Sequence, residues 1–230
     1  PIVQWADVIL KGEADLEFAK TCHLLLQGQE TPKWIACAPP PLQQVELPYQ
    51  EYSNRDLEHR LIYVEASRGC PFSCEFCLSS LDEKVRSFDH ELFLEATKDL
   101  IDRGCRTFKF VDRTFNLKPK QAVAIIEHFQ NNWMDDIFLH FEMVPDRLPD
   151  AIREKLPWFK HGSLQFEIGI QSFTPKVGEL ISRRMDLGKT KENFKFIHEK
   201  TEVHTHADLI LGLPGESMET LEVSFNMLWE

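Results

Sequence analysis

From Leu61 onward the chain switches back and forth between two hydrophobic periods, and this leaves few folds open. Short period-two segments rich in branched and aromatic residues alternate with segments of helical period. The pattern predicts strands at residues 61–66, 107–111, 137–143, 164–170 and 203–211. It predicts helices at about 90–103, 119–131, 150–156, 175–182 and 190–200, and a last one from Met218. Asp89 fits an N-cap, Gly104 a helix stop and Pro119 a first helical position. Strands alternating with helices imply a parallel sheet with right-handed crossovers. Five such units predict an α/β fold, a partial (β/α) TIM-like barrel with its mouth at the strand C-termini.

The strands themselves are two-sided. A strand buried on both faces reads as nearly continuous apolar residues, and these do not. Leu164, Phe166, Ile168 and Ile170 share one face, opposite Gln165, Glu167, Gly169 and Gln171. His140 and Glu142 lie with Phe138, opposite Leu139, Phe141 and Met143; His204, His206 and Asp208 oppose Val203, Thr205, Ala207 and Leu209. Glu65 and Ser67 share a face of the first strand. Apolar faces packed on helices and polar faces turned inward satisfy this pattern. A lumen so lined holds water or a polar ligand. His140 taken alone reads as a hydrogen-bonded interior side chain.

The first strand runs into Arg68-Gly69-Cys70-Pro71-Phe72-Ser73-Cys74-Glu75-Phe76-Cys77, a C-x-x-x-C-x-x-C stretch. Thiols at this spacing, among Pro, Ser and Glu, are metal or iron–sulfur ligands. Four thiolates would close a structural zinc site or saturate a cubane, and no fourth cysteine follows nearby. Three would leave one iron open to an outside ligand. A zinc site completed by His59 or His90 lacks tight ligand spacing. A disulfide framework is poorly supported by six cysteines in 230 residues without a secretory signal.

The cysteine motif, with Phe76 just before Cys77, resembles the signature of the radical S-adenosylmethionine (radical SAM) superfamily. The resemblance implies a [4Fe–4S] cluster on Cys70, Cys74 and Cys77, whose open iron binds the amino and carboxylate groups of S-adenosylmethionine. Further motifs follow in order. Glu65 to Cys70 resembles the first strand and cluster loop of the branch with an N-terminal cobalamin-binding domain. Val111 to Asn116 departs from the family's Gly-Gly-Glu and resembles that branch's Asp-containing version, making Asp112 the candidate for the amino group. Glu167 to Ser172 resembles the strand that meets ribose and methionine, which implicates Glu167, Gln171 and Ser172. Arg183 or Arg184 resembles the arginine that meets the carboxylate. Asp208 to Glu216 resembles the adenine-side motif, with Ile210 and Gly212 as contacts.

Residues 1–28 form a strand–turn–helix unit that resembles the end of the Rossmann-like, cobalamin-binding domain; a decorated N-terminal extension of the barrel reads equally well. Residues 29–60 read as a proline-rich linker in which Pro32, Pro39, Pro40, Pro41 and Pro48 oppose regular structure, with one short strand at Trp34-Ile35-Ala36 and a half-buried Cys37. Residues 61–230 resemble the radical SAM core, truncated after about five β/α units. The start at Pro1 and the end inside a helical pattern suggest a fragment of a longer protein. The net charge of −11, with no Lys/Arg cluster beyond a pair, argues against a broad nucleic-acid face. No apolar run approaches the roughly 18 residues of a membrane span, and a cytoplasmic location is expected.

The resemblance implies reductive cleavage of S-adenosylmethionine to a 5′-deoxyadenosyl radical, fed by a low-potential flavodoxin- or ferredoxin-like donor. The cobalamin-associated branch includes methyltransferases at unactivated carbon and the anaerobic ring-forming enzyme of chlorophyll synthesis. A methylthiotransferase-like or coproporphyrinogen-oxidase-like enzyme without cobalamin, and a structural metal-binding module, are the alternatives. Methylthiotransferases carry a second cluster on three upstream cysteines, for which Cys22 and Cys37 are too few.

Overall fold

A computed structural model describes residues 3–81 and 84–229. The chain divides into two compact units, Pro1–Leu47 and Pro48–Glu230. In the first unit, β1 (Ile9–Gly12) leads through α1 (Asp15–Leu26) to β2 (Trp34–Cys37), which pairs with β1 in parallel. Gly12 sits at φ +114°, where a Cβ would strike the Cys37 carbonyl. Gly28, at φ +72°, ends α1: its N–H reaches Leu25 and that of Gln29 reaches Leu24, which satisfies two terminal carbonyls.

The second unit opens with Pro48–Glu51 in a 3-10 turn and α2 (Asn54–His59). α2 corrects the expectation that the prolines keep helix out of residues 29–60, whereas β2 is the short strand expected at Trp34-Ile35-Ala36. Pro32 and Pro39 flank β2 without entering it, and no proline follows Pro48 before the helix. A capping box then starts α2: the Asp56 N–H donates to Ser53 Oγ, and the Ser53 N–H donates to Asp56 Oδ2 at 2.9 Å.

β3 (Ile62–Val64) follows, then a short antiparallel ladder of β4 (Ser67–Arg68) with β5 (Arg86–Ser87), which ties together the two ends of the cysteine loop. Thereafter strands and helices alternate as the sequence predicts. The order is α3 (His90–Asp102), β6 (Thr107–Phe110), α4 (Pro119–Asn131), β7 (Phe138–Glu142), α5 (Asp150–Arg153), β8 (Leu164–Gln171), α6 (Pro175–Leu180), α7 (Leu187–Lys200), β9 (His204–Leu209) and α8 (Met218–Trp229). Asp89 caps α3 by accepting from Leu92 N–H, and Asp186 caps α7 by accepting from Lys189 N–H. Each such cap contributes about 1 kcal/mol.

One parallel sheet runs β3-β6-β7-β8-β9, each strand beside its successor. That order is the partial barrel expected from the alternation. The outer face is apolar. Ile62, Val64, Phe108, Phe110, Leu139, Phe141, Leu164, Phe166 and Ile168 are all buried, as are Phe93 and Leu100 of α3 and Ile125, Ile126 and Phe129 of α4. Phe110 sits centrally, its ring 5.9 Å from Phe93, 6.0 Å from Phe129 and 4.3 Å from Phe141. The inner face carries Tyr63, Lys109, His140, Gln165 and His204, which lie in register across all five strands.

β8 follows the expected alternation throughout, every second residue from Leu164 buried and the others half-buried. An aspartate at Ile168 would place a charge in a fully buried apolar site. Ile168→Asp is therefore expected to destabilise the second unit by more than about 4 kcal/mol. Glu167→Gln, one residue away on the other face, should cost about 1 kcal/mol or less. Thermal or urea melts of both variants check this; equal losses contradict the facing.

Candidate functional site

The cysteine loop leaves β3 and is held at several points. The Asp112 carboxylate, at the end of β6, accepts from the Ala66 N–H at 3.0 Å and from Ser67 Oγ at 2.6 Å. The Glu75 N–H donates to Ile181 O at 3.1 Å, and Ser182 Oγ donates to Glu75 at 2.8 Å. The Cys77 N–H closes a turn on Cys74 O at 3.1 Å. Arg183 spans loop and sheet: one Nη lies 3.7 Å from Cys74 Sγ, and the other donates to the Gly169 carbonyl. Burial pushes the Cys70 thiol up, opposed by a backbone hydrogen bond from Phe72; Cys74 and Cys77 push it further and Arg183 pulls it down.

These thiols line a cavity of about 430 Å³ at the C-terminal ends of the strands. Cys70, Cys74, Phe76, Cys77, Glu167, Gln171, Arg183 and Arg184 all border it. At its wall β8 departs from regular geometry. Gln171 adopts φ +71°, and the β8–β9 register slips between Gly169 and Gln171. Gly169 leaves room for the turned-back amide, since a Cβ there would overlap Gln171 Nε2. Gln171 Oε1 and Arg183 Nε are buried with no hydrogen-bond partner among the described residues. Two such atoms in one cavity wall mark a place for a polar ligand.

Other expected site residues lie elsewhere. Asp112 is buried and borders a separate cavity beside Pro71 and Thr114, with its oxygens turned to Ala66 and Ser67. Ser172 borders a smaller cavity; its hydroxyl donates to Glu216 and accepts from the Thr174 N–H. Ile210 packs against Val177, Ile181 and Leu213, while its N–H reaches Gln171 O at 3.0 Å. Gly212 stands at φ +84° with open space where a Cβ would point, so backbone conformation alone accounts for glycine there. The adjacent arginines separate: Arg183 is half-buried against Cys74 and Gly169, whereas Arg184 is exposed on the rim. Neither His59 nor His90 borders the cysteine cavity.

Sequence reasoning passes over Lys109, Arg113 and Arg147. Arg113 and Arg147 border the cavity, and Arg113 donates to both oxygens of Glu142 at 2.9 and 3.2 Å. Burial raises the Glu142 carboxyl, which Arg113 opposes. Lys109 Nζ donates to Glu167 Oε2 at 3.2 Å. The Phe108-Lys109-Phe110 alternation is the available signal. His140, expected to be a hydrogen-bonded interior group, is buried with Nε2 3.1 Å from Glu167 but not aligned for a hydrogen bond. Burial first, and Lys109 next, push its pKa down and favour a neutral ring.

The donor chemistry suits an iron–sulfur cluster: three thiols border one cavity, the Arg183 guanidinium lies beside Cys74, and Gln171 and Arg183 of the same lining carry unpaired polar atoms. Among the described residues no group of His, Cys, Asp and Glu is already gathered for a metal ion, so the thiols share a wall without forming a closed cage. Ligands and metal that order each other behave in this way.

A parallel sheet in chain order, a three-thiol loop after its first strand and a polar cavity at the strand ends define a cofactor-dependent α/β enzyme core. Residues 64–228 match the Radical SAM superfamily, and the chain belongs to that family of enzymes, whose cofactors are a [4Fe–4S] cluster and S-adenosylmethionine. It is 25% identical to an uncharacterized methyltransferase of Pyrococcus horikoshii, over 95% of this chain and 51% of the relative. It is 23% identical to the anaerobic magnesium-protoporphyrin IX monomethyl ester cyclase of Cereibacter sphaeroides, over 98% of this chain and 41% of the relative. The chain thus spans about half the length of these curated relatives or less. The radical S-adenosylmethionine methyltransferase TsrM of Kitasatospora setae, solved with tryptophan substrate and a SAM analogue, superposes with a TM-score of 0.73 at 15% identity, covering 96% of this chain and 48% of that one. Another structure of TsrM holds cobalamin and a [4Fe–4S] cluster. Among the described residues no helix is long and apolar enough to cross a membrane.

Burial raises the Asp112 carboxyl to about 6, against the hydrogen bonds from Ser67 and Ala66. An unfolded aspartate loses its proton near pH 4, so the native state binds more protons between these values. The group's contribution to stability is full below about pH 4 and is lost as pH rises through about 6, a change of about 3 kcal/mol. Asp112→Asn removes this slope. Urea melts should show the stability of the variant relative to the parent improving by about 3 kcal/mol from pH 4 to pH 7; a constant gap contradicts it.

Proposed function

We propose that this chain is the core of a radical SAM enzyme of the cobalamin-associated branch, methyltransferase-like or cyclase-like. One observation carries the reading: the three thiols of the loop and the polar end of β8, with Arg183, border a single cavity. Cys70, Cys74 and Cys77 would hold the cluster, and Glu167, Gln171 and Arg183 would face S-adenosylmethionine. When bound, the cluster supplies the electron that cleaves the sulfonium and yields a 5′-deoxyadenosyl radical. Arg183 provides positive charge between the thiols and β8 and suits a carboxylate. Gln171 offers an unpaired acceptor, Oε1, that awaits a donor. Phe76 borders the same space. Ser172, Ile210 and Gly212 would act through the backbone at the ends of β8 and β9. Asp112 would hold the loop and not the ligand.

Residues 1–28 are proposed as the last unit of a cobalamin-binding domain and 29–60 as its connection to the core at 61–230. Similarity to the methyltransferase and cyclase relatives extends over at least 95% of the chain, well upstream of residue 64 where the family match begins, which supports this branch. A low-potential flavodoxin- or ferredoxin-like protein would supply the electron, in the cytoplasm. The substrate would be a small molecule reached from the same cavity.

Anaerobic reconstitution with iron and sulfide tests the reading. The protein should gain the broad visible absorbance of a [4Fe–4S] cluster and, once reduced, release 5′-deoxyadenosine from S-adenosylmethionine. Alanine at Cys70, Cys74 or Cys77 should abolish the absorbance, whereas alanine at Cys22, Cys37 or Cys105 should leave it. Cys105 is buried with its thiol pushed up to about 11 by desolvation, which disfavours a ligand role. Equal dependence on any of these three would defeat the assignment.

A further inference from the structure

We infer that Lys109 is a positioning residue that holds one oxygen of Glu167 so that the other is presented to the cofactor cavity. This rests on the function proposed above. Lys109 lies between Phe108 and Phe110, both buried against the helices, so its side chain rises from the inner face of the sheet. Its ammonium donates to Glu167 Oε2 at 3.2 Å. His140, on the strand between them, brings Nε2 to within 3.1 Å of the same Oε2. Both contacts fall on Oε2, and Oε1 has no hydrogen-bond partner among the described residues. Glu167 borders the cavity, whereas Lys109 and His140 do not, so they act on it from behind.

The surrounding charges leave this task to Lys109. Glu142, the register partner of Glu167 on β7, is taken by Arg113. His206, its register partner on β9, lies 3.3 Å from Asp208. The His140 ring is not aligned to donate to Glu167, and burial pushes its pKa down. Lys109 is thus the cation that fixes the carboxylate. The pair is partly buried, with side chains 24% and 31% exposed, so it is screened less than a surface pair. A glutamate without that anchor would sample several rotamers, and ordering it would fall to the ligand.

Titration of S-adenosylmethionine into the reconstituted protein tests this. Lys109→Met should bind about tenfold more weakly than the parent, and Lys109→Arg within about threefold of it. In a Glu167→Gln background, Lys109→Met should cause little further loss, because the residues act as one unit. This non-additivity separates positioning from a general structural role, even if the single variant melts at a lower temperature. A Lys109→Met affinity equal to the parent's, or a full further loss in the Glu167→Gln background, overturns the inference alone. A parent that binds no S-adenosylmethionine overturns the proposed function, and the inference with it.

Discussion

A parallel sheet with two unlike faces can be buried on one side only. Phe108, Phe110, Leu139, Phe141, Phe166 and Ile168 are fully enclosed by the helices, while the residues between them carry amines, imidazoles, amides and carboxylates. Period-two geometry makes this an all-or-nothing choice, because a slip of one residue would exchange the faces along a whole strand. The buried face therefore fixes register, and register fixes which polar groups meet. Lys109, His140 and Gln165 stand in one row and Glu142, Glu167 and His206 in the next because of where the phenylalanines must go.

The cysteine loop depends on that sheet without being part of it. Three thiols bordering one cavity oppose each other once ionised, and burial already raises Cys70. Arg183, between Cys74 and Gly169, opposes that rise, while Asp112 after β6 and Ser182 after α6 hold the loop in place. Asp112 is costly to keep charged in that position, yet its two hydrogen bonds hold the backbone where β3 turns into the loop. Its value lies in geometry more than in stability.

Much of this is legible in the sequence. α4 begins at Pro119 and ends at Asn131 as predicted, because a proline fits only the first turn and the apolar spacing sets the rest. β8 is equally plain, since its alternation has no break. The stretch 29–60 misleads when its proline content is weighed over a window, because proline acts only on itself and its neighbour. The Ser53–Asp56 capping box is the better local signal there. Direction at strand ends is harder. Whether Asp112 turns toward the cavity or toward Ala66, and which of Arg183 and Arg184 turns inward, depends on local backbone twist that spacing does not encode. Lys109 is within reach of the sequence, since a lysine between two buried phenylalanines has only the opposite face to occupy.

Several departures from regular structure meet at the end of β8. Gln171 is held in a left-handed conformation, which costs about 1–3 kcal/mol for a residue other than glycine. Beside it, Gln171 Oε1 and Arg183 Nε are desolvated without partners, at about 1–3 kcal/mol each. They would be hard to reconcile with a scaffold alone. They fit the proposed role of the end of β8 in facing a polar ligand. The strain at Gln171 and the three thiols thus meet in one cavity, joined by Arg183 between Cys74 and Gly169.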